Sequence, residues 1–462
     1  MNQLLSDVAS IIWWPVLFLI IGGGLFFLFY SRFVQYVYFK EAFRILIGKY
    51  EHLNAPGQIS SYKALSTALA STVGMGNLSG VAAAIALGGP GALFWMWVTA
   101  FIGMSTNFFT STLAVMYRGR DSRGELQGGP MYVIREGLDK RWHWLSVMFC
   151  VCCMVGALPV FQANQLTQAI VDIGFQDSIQ RRKVLTVAGY EVSVVKLAIG
   201  IVIALFVTIV IVGGIRRIGN WAGRCVPIMI VLHFISVAVI LAVFADQIIP
   251  SILLIFSDAF SPAHYHGDPF LGGVLGGMIM LGVRRATFSN EAGIGTAPMA
   301  MGAAISVEPV REGLLSMLSP AIDTILSCSL TAVAILVTGV WRDPGVSGIT
   351  MTAQAYRAAM PYGDYVLLLC TVVFAVSALF SYSYYGRKAL SYLVGERESR
   401  WYDYAYLGMI VVGAVVSMDL VLNLIDIAFA LMAIPTMVSA FILAPKVMEV
   451  SKKYFEKLRH AR

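Results

Sequence analysis

The sequence predicts an all-α polytopic membrane protein with about eleven transmembrane helices, in which one extra N-terminal helix precedes an inverted repeat of five plus five helices. Three observations predict this fold class: the composition, a series of long apolar runs, and two glycine-rich segments in corresponding runs. Hydrophobic residues make up 58% of the chain and charged residues 13%, and the mean hydropathy is +0.76. A soluble domain carries about a quarter charged residues. The composition therefore indicates a chain built largely for a lipid bilayer.

A transmembrane helix needs about 20 mostly apolar residues to cross the hydrocarbon core. The apolar runs of roughly this length predict spans at residues 10–31, 64–87, 93–117, 143–171, 194–213, 225–246, 267–283, 313–339, 364–386, 403–418 and 420–444.

Lysine and arginine are distributed unevenly between the two sets of loops. With the N-terminus outside, the predicted inner segments hold 27 of the 33 basic residues, and an excess of these residues marks the cytoplasmic side. The chain is therefore predicted to cross the cell membrane many times, with its N-terminus outside and its C-terminus in the cytoplasm. Arg181–Lys183 is the one basic cluster on the predicted outer side. Because the positive charge is spread through short loops, the net charge of +7 indicates membrane topology rather than nucleic-acid binding.

The predicted organisation has four parts. Residues 1–60 form an N-terminal helix and a cytoplasmic linker, 61–246 the first five-helix repeat, 247–446 the second repeat, and 447–462 a basic cytoplasmic tail. The first seven residues, MNQLLSD, contain no basic residue, so the first apolar run is expected to remain as a span rather than to be cleaved as a signal peptide. A closed core of ten helices needs no partner, so the expected working unit is a monomer.

Residues 70–80, ASTVGMGNLSG, and residues 272–277, GGVLGG, interrupt two of the predicted spans. Glycine is a poor helix former, and an unpaired amide such as that of Asn77 is costly in hydrocarbon. The two interrupted spans open the two groups of five helices and cross the membrane in opposite directions. This arrangement is typical of inverted-repeat secondary transporters, whose site lies at the bilayer midplane between broken helices. Free N–H groups at such a break attract a carboxylate, and free carbonyls attract a small cation.

Several motifs resemble those of one known family. The stretches that carry the resemblance are STVGMGNLSGVAAAI, QGGPMY, FQAN, FSNEAGIGTAP, SPAIDTILSCSLTA and ALMAIP. They cover nearly the whole chain, and the combination of VGMGN with FSNEAGIGTAP is highly specific. The chain is thus similar to the amino acid carrier family of alanine or glycine:cation symporters. The resemblance implies an extra N-terminal helix, a leucine-transporter-type core of ten helices, and sodium-coupled uptake of small neutral amino acids such as alanine or glycine.

Carried over residue by residue, the resemblance implies a substrate site and a cation site at the broken helices. Transport would follow alternating access, with the substrate carboxylate at the N–H groups around Gly76 and Asn77. The substrate ammonium would meet carbonyls near Gly276 and the side chain of Gln162. The predicted substrate-binding residues are Gly74, Gly76, Asn77, Gln162, Gly276, Gly277, Ala378 and Tyr382, and the predicted cation-binding residues are Thr72 and Ser377.

The chain departs from the family pattern at a few positions. Ala378 stands where the family has a threonine, and Tyr382 stands where it has a tryptophan. The first change removes a hydroxyl group, and the second alters the polarity of the pocket floor. These changes leave the transport class in place and the exact substrate open. Further departures are at Asn107 and Thr110, where the family often has lysine and glutamate, and at Thr436, where it usually has asparagine.

Three carboxylates are candidates for gating or ion pairing. A carboxylate within a membrane span is a functional candidate by default. Asp323 and Asp426 could each bind a cation, carry a proton or form a gate, and each could equally be satisfied by backbone amides near a helix end. Glu291 follows Arg284 and Arg285, so it is predicted to lie at the cytoplasmic face as part of an ion pair or an inner gate.

Other function classes lack the residues that would support them. The sequence contains no P-loop, no HExxH motif and no Gly-x-Ser-x-Gly motif, so neither an enzyme nor an ATP-driven pump is expected. His264 and His266 have metal-like spacing but no third ligand, so no metal site is predicted, and no cofactor is expected besides the coupling ion. Two alternatives stay open: a carrier of another small zwitterion coupled to H⁺ instead of Na⁺, and an uncoupled channel or sensor on the same scaffold.

Overall fold

The computed structural model describes residues 2–48, 55–174, 184–187, 190–261, 263–266, 273–343, 345–416 and 418–460. Most of these residues are helical, as the sequence predicts. Within this part of the chain, eight helices are long and apolar enough to cross a membrane, and a bent pair of shorter helices counted as one span makes nine.

In the first half of the chain, the described residues form helices and two small hairpins of antiparallel strands. A π-helical segment, Gly76–Gly80, leads directly into the fifth α-helix. The elements are α1 (Asn2–Tyr30), α2 (Val34–Val37), α3 (Phe39–Leu46), α4 (Ser61–Thr72), α5 (Val81–Gly88), α6 (Ala92–Met116), β1 (Gly119–Arg120), β2 (Leu126–Gln127), α7 (Pro130–Gly137), α8 (Trp144–Gly156), α9 (Val160–Gly174), β3 (Val184–Val187), β4 (Tyr190–Ser193), α10 (Val194–Ile211) and α11 (Gly214–Val243).

The second half is helical among the residues described. A second π-helical segment, Ala321–Cys328, lies between two of its α-helices. The elements are α12 (Ile248–Phe260), α13 (Gly273–Asn290), α14 (Thr296–Met301), α15 (Pro309–Ser316), α16 (Leu318–Pro320), α17 (Ser329–Thr338), α18 (Gly348–Ala359), α19 (Gly363–Val394), α20 (Arg400–Val415) and α21 (Met418–His460).

Two of the eleven predicted spans form helices that are shorter or more polar than the other nine. The span predicted at 403–418 is α20, which has 16 residues. The span predicted at 267–283 corresponds to α13, whose second half carries two arginines and a polar end. Residues 267–272 of that span, and the basic cluster at 181–183, lie outside the described residues.

The first predicted helix break is present. Helix α4 ends at Thr72, the chain is non-helical over 73–74, and helical backbone resumes at Met75 and Gly76 with a bend of 45°. The Gly74 N–H turns back onto the Thr72 carbonyl at 2.8 Å instead of continuing the α-helical pattern. Glycine and asparagine together weaken the helix here, and the surrounding helices bury the exposed backbone, so the break is tolerated at membrane depth.

The second helix break lies elsewhere than predicted. Gly276 and Gly277 are buried within helix α13, which is continuous from Gly273 to Asn290, so these two glycines do not interrupt it. The break comes at 291–295, between α13 and α14. Three residues there have left-handed backbone angles, with φ of 54° at Glu291, 85° at Gly293 and 111° at Gly295. Glycine only permits a break, whereas left-handed φ angles cannot continue a right-handed helix.

Arg284 and Arg285 do not mark the cytoplasmic end of their span. Both lie inside α13, which continues to Asn290 before the break and α14 follow. The prediction that Glu291 lies at the cytoplasmic face was therefore wrong, because it took these arginines for the end of the helix. Glu291 lies completely buried in the break between α13 and α14.

The extra N-terminal helix packs on the outside of the bundle, against α21 and α6. The Trp13 indole N–H donates to the Asp426 carbonyl of α21 at 3.1 Å. Gly23 allows close approach, because a Cβ atom there would lie 2.5 Å from Met437 of the same partner helix. Helix α1 thus braces the helix that carries Asp426.

Candidate substrate and cation site

The first helix break is held by Gln162 of α9. The Met75 N–H donates to Gln162 Oε1 at 3.0 Å. A Cβ atom on Gly74 would lie 3.2 Å from the Ala378 methyl group and 3.3 Å from both amide atoms of Gln162. Gly74, Gln162 and Ala378 are thus brought together, as the sequence predicts. The Gln162 amide nitrogen has no hydrogen-bond partner among the described residues, so a donor remains free beside Gly74.

Three phenylalanines form an aromatic layer next to this break: Phe161, Phe288 and Phe429. The Phe288 ring stands edge-on to Phe161 with centroids 4.9 Å apart, and it lies 5.9 Å from Phe429. A Cβ atom on Gly76 would meet the Phe288 ring at 3.7 Å. Sequence reasoning did not name these rings, although Phe161 and Phe288 lie inside the motifs FQAN and FSNEAGIGTAP.

Asp323 is the centre of a buried polar group, termed here the oxygen cluster: Asn77, Ser289, Asp323 and Thr324. The Asn77 amide donates to Asp323 Oδ1 at 2.8 Å and to the Asp323 carbonyl at 3.1 Å. The hydroxyls of Ser289 and Thr324 donate to Asp323 Oδ2 at 2.6 and 2.9 Å. All four side chains are at most 1% exposed.

The oxygen cluster has the composition of a cation site. No lysine or arginine contacts the Asp323 carboxylate among the described residues, so its charge is balanced only by dipoles. A buried carboxylate at membrane depth is costly unless a cation or proton neutralises it. Hydroxyl, amide and carboxylate oxygens are the ligands that hard cations prefer. Asn77 and Asp323 both lie on π-helical segments, which occur frequently at functional sites.

The hydroxyl protons of the predicted cation ligands Thr72 and Ser377 are both donated within their own helices. The Thr72 hydroxyl donates to the Ala68 carbonyl at 3.3 Å, and the Ser377 hydroxyl donates to the Phe374 carbonyl at 3.0 Å. Each hydroxyl is therefore used within its own helix, which is a common arrangement for serine and threonine. Ser377 also faces Met229 of α11 at 3.7 Å, whereas its neighbour Ala378 faces the break.

Glu291 lies in the second helix break and is completely buried. Its two carboxylate oxygens accept hydrogen bonds from the hydroxyls of Tyr382 and Thr296. The Thr436 hydroxyl donates to the Ile294 carbonyl in the same break at 2.8 Å. Tyr382 and Thr436, two of the departures from the family pattern, thus fasten the broken segment to α19 and α21.

The other departures lie away from the break in buried parts of α6. The Thr110 hydroxyl donates to the Thr106 carbonyl at 3.0 Å, within its own helix. Asn107 is completely buried, and within the described part of the chain neither its amide oxygen nor its amide nitrogen has a hydrogen-bond partner. The structure gives no account of why this amide replaces a charged residue.

Gly276 and Gly277 lie too far along α13 to take part in the site. Gly277 precedes Glu291 by 14 residues, which corresponds to about 20 Å of helix. The carbonyls that can face the site on this segment are instead those at the C-terminal end of α13 and in the break.

Asp426 forms an ion pair with Arg284. Asp426 Oδ2 accepts from Arg284 Nη2 at 2.6 Å, and the two side chains are 2% and 18% exposed. The pair joins α21 to α13 on the predicted outer side of the aromatic layer, since Asp426 precedes Phe429 by three residues. The structure thus shows Asp426 paired with an arginine rather than satisfied by backbone amides.

A cavity of about 620 Å³ opens on the predicted cytoplasmic side. Charged residues of the β1–β2 hairpin and of α19 line it, among them Asp121, Arg123 and Arg387. Lys388 forms part of its wall, and the Lys388 amine donates to the Met299 carbonyl at 2.9 Å. This contact joins α19 to α14, the helix that follows the second break.

Two broken transmembrane helices that meet at an oxygen cluster define a secondary transporter of the membrane. The solved structure of MhsT in complex with L-phenylalanine is similar in fold, with a TM-score of 0.57 at 13% sequence identity, covering 86% of this chain and 98% of that one. MhsT has the leucine-transporter fold, so the predicted fold class is confirmed.

Sequence comparison identifies the family. The sodium:alanine symporter family matches residues 1–462. The sodium/alanine symporter AgcS of Methanococcus maripaludis is 37% identical over 459 residues, covering 98% of this chain and 97% of that protein. The "Probable sodium/glutamine symporter GlnT" of Bacillus subtilis is 34% identical over 463 residues, covering 98% and 91%. The chain belongs to the sodium:alanine symporter family, and it is a cation-coupled amino acid symporter rather than an enzyme.

Proposed function

We propose that this protein couples the uptake of small neutral amino acids, alanine or glycine, to Na⁺ by alternating access. The observation that carries the proposal is the position of the oxygen cluster. Asn77 of the cluster directly follows Gly76 at the first break, and Ser289 directly precedes Asn290 at the second. A cation bound by this cluster would therefore order both broken helices at once, which links cation binding to formation of the substrate site.

The substrate carboxylate would bind at the first break. The helical segment that starts at Gly76 presents its N-terminus there, where backbone N–H groups and the helix dipole favour an anion. The free amide nitrogen of Gln162 adds a donor beside Gly74. Because Gln162 Oε1 already accepts from Met75, this side chain suits the carboxylate better than the ammonium.

The substrate ammonium would bind at the second break. The C-terminal end of α13 presents carbonyl groups at membrane depth, and a helix C-terminus favours a cation. These carbonyls replace those near Gly276, which lie about 20 Å away along the helix.

The close packing around the site supports a small substrate. A Cβ atom on Gly74 would lie 3.2 Å from the Ala378 methyl group, which is closer than an ordinary van der Waals contact. The Phe288 ring covers Gly76. A glycine or alanine side chain fits such a space, whereas a longer one would have to displace the aromatic layer. Both AgcS, a sodium/alanine symporter, and this chain share the family that this proposal invokes.

Alternating access would open two different contacts in turn. The Arg284–Asp426 pair joins α13 to α21 on the predicted outer side, and the contact of Lys388 with the Met299 carbonyl joins α19 to α14 near the inner cavity. We infer that the outer contact breaks to admit substrate and that the inner contact breaks to release it into the cavity. With this assignment the N-terminus lies outside and the C-terminus in the cytoplasm.

A proton-coupled carrier is the second candidate, and Asp323 is the residue that favours it. A carboxylate surrounded by hydroxyl groups can accept a proton as well as coordinate a cation. The experiment is equilibrium binding of labelled alanine to purified protein over a series of Na⁺ concentrations, with choline holding the ionic strength constant, and at several pH values without Na⁺.

The matched variants are Asp323→Asn and Asp343→Asn, because Asp343 is exposed in a loop on the predicted outer side. We expect Na⁺-dependent binding in the wild type and in Asp343→Asn. In Asp323→Asn the Na⁺ concentration for half-maximal alanine binding should be at least tenfold higher, which corresponds to the loss of about one charge-assisted contact. Binding that follows pH but not Na⁺ would favour the proton-coupled carrier. Unchanged Na⁺ dependence in Asp323→Asn would remove the oxygen cluster from the coupling mechanism.

A further inference from the structure

Arg285 is a buried arginine that the transport mechanism above does not use. It lies on α13 one helical turn before Ser289 of the oxygen cluster, and it is 9% exposed. Its guanidinium group has no hydrogen bond or ion pair with any residue in the described part of the chain. Its Nε atom is fully buried and unpaired. An arginine at this depth is rarely left without a counter-charge.

The neighbouring carboxylate does not neutralise Arg285. Asp426 is close enough to interact electrostatically with Arg285, but it is already hydrogen-bonded to Arg284 at 2.6 Å. Arg284 and Arg285 are adjacent in sequence and point in directions about 100° apart on the helix. Two guanidinium groups therefore lie near one carboxylate, which is hydrogen-bonded to Arg284. Within the described residues, the positive charge of Arg285 is left without a hydrogen-bonded counter-charge.

The free charge lies on the predicted outer side of the aromatic layer. Arg285 precedes Phe288 by three residues and Asp426 precedes Phe429 by three, so both charges lie one turn beyond the aromatic layer. Gly76 at the first helix break lies against the same Phe288 ring, since a Cβ atom there would meet it at 3.7 Å. Arg285 is thus one helical turn from a ring that covers the first helix break.

We propose that Arg285 forms a second carboxylate-binding site, which takes the α-carboxylate of an incoming amino acid before the aromatic layer opens. The planar guanidinium group matches a carboxylate with two parallel hydrogen bonds, and it is the side chain best suited to this ligand in a partly dry site. A positive charge in a cleft also raises the rate at which an anionic group arrives. The inference rests on the proposed function, because it assumes that amino acids use this path.

The probe is propionate, which is alanine without its amino group. Saturation-transfer NMR on the purified full-length protein would measure propionate binding to the wild type, Arg285→Gln, Arg285→Lys and Arg342→Gln. Arg342 is the matched control, since it is an exposed arginine in a loop on the same predicted side. The second readout is the rate of labelled alanine uptake as a function of alanine concentration and of ionic strength, set with choline methanesulfonate.

We expect propionate to bind the wild type and Arg342→Gln, and to bind Arg285→Gln at least tenfold more weakly. Arg285→Gln should raise the KM for alanine about tenfold with the maximal rate unchanged, and should abolish the salt dependence of KM that Arg285→Lys retains. A role in folding alone would lower the maximal rate and leave propionate binding in place.

Equal propionate binding by Arg285→Gln and the wild type would overturn the proposal. Displacement of propionate by 150 mM chloride with no loss of alanine affinity would also overturn it, since the site would then hold an inorganic anion. Propionate binding does not depend on transport. If the wild type carried no amino acid, the proposed function would fail, while the binding measurement would still decide whether Arg285 holds a carboxylate.

Discussion

Gly74 and Gly76 offer a matched pair of substitutions that tests the geometry of the first helix break. Both residues are buried, and neither has a left-handed backbone angle, so alanine is conformationally allowed at both positions. The surroundings differ. A Cβ atom at Gly74 would lie 3.2 Å from the Ala378 methyl group and 3.3 Å from the Gln162 amide, whereas at Gly76 the nearest atoms are 3.6–3.7 Å away.

The expected cost follows from these distances. At Gly74 the added methyl group must push Gln162 or Ala378 away by a few tenths of an ångström, and overpacking of this kind costs about 1–3 kcal/mol. Displacing Gln162 also weakens its hydrogen bond to the Met75 N–H, worth about 1 kcal/mol. A total near 2 kcal/mol corresponds to about 30-fold weaker substrate binding. At Gly76 the methyl group makes ordinary contacts, so the change should stay within about threefold, near 0.6 kcal/mol.

The assay is Na⁺-dependent binding of labelled alanine to purified Gly74→Ala and Gly76→Ala, with thermal unfolding measured on the same samples. We expect Gly74→Ala to bind about 30-fold more weakly while it unfolds at nearly the wild-type temperature. Stronger impairment in Gly76→Ala than in Gly74→Ala would refute the assignment of Gly74, Gln162 and Ala378 to the pocket wall. So would wild-type affinity in Gly74→Ala.

The remaining predictions concern the contacts around this pocket. Ser289→Ala removes one hydroxyl from the oxygen cluster, and the Na⁺ concentration for half-maximal alanine binding should rise about tenfold, the worth of one hydrogen bond to a charged group; an unchanged Na⁺ titration would contradict this. Tyr382→Phe leaves one oxygen of Glu291 without its donor, so uptake should slow at least tenfold, whereas Tyr382→Trp, which keeps a donor, should retain more activity. Asp426→Asn leaves Arg284 partly buried without its counter-charge, and should destabilise the protein by about 3 kcal/mol, seen as a lower unfolding temperature; the double variant with Arg284→Met should recover most of that loss.

The first helix break could be predicted from sequence because its signal is local. Three glycines and an asparagine fall within 74–80 of an otherwise apolar run, and both helix propensity and the cost of buried amides indicate a break there. The structure places the break at 73–74, just before Gly76 and Asn77.

The second break was mislocated because glycine content is an incomplete signal. GGVLGG contains more glycine than the true break, yet the helix runs through Gly276 and Gly277. In NEAGIG, three residues have left-handed φ angles, and two of these three are the glycines at 293 and 295. Glycine adopts such angles readily. That spacing, and the proline at 298 that follows it, could have located the break.

The oxygen cluster could not be assembled from the sequence. Asn77 and Asp323 are 246 positions apart, and their contact depends on how the two halves of the chain pack. The sequence did identify both residues as polar groups at membrane depth. Ser377 was predicted as a cation ligand because sodium prefers cages of oxygen ligands that need not include a carboxylate. In the structure its hydroxyl proton is donated to the Phe374 carbonyl of its own helix.

Uptake of labelled alanine and glycine into proteoliposomes tests the central claim most directly. The wild-type protein would be compared under an inward Na⁺ gradient, an inward proton gradient and no gradient, with Asp323→Asn under each condition. The account predicts accumulation driven by the Na⁺ gradient alone, abolished in Asp323→Asn. Accumulation driven by the proton gradient alone, or equilibration of the amino acid without any gradient, would contradict it.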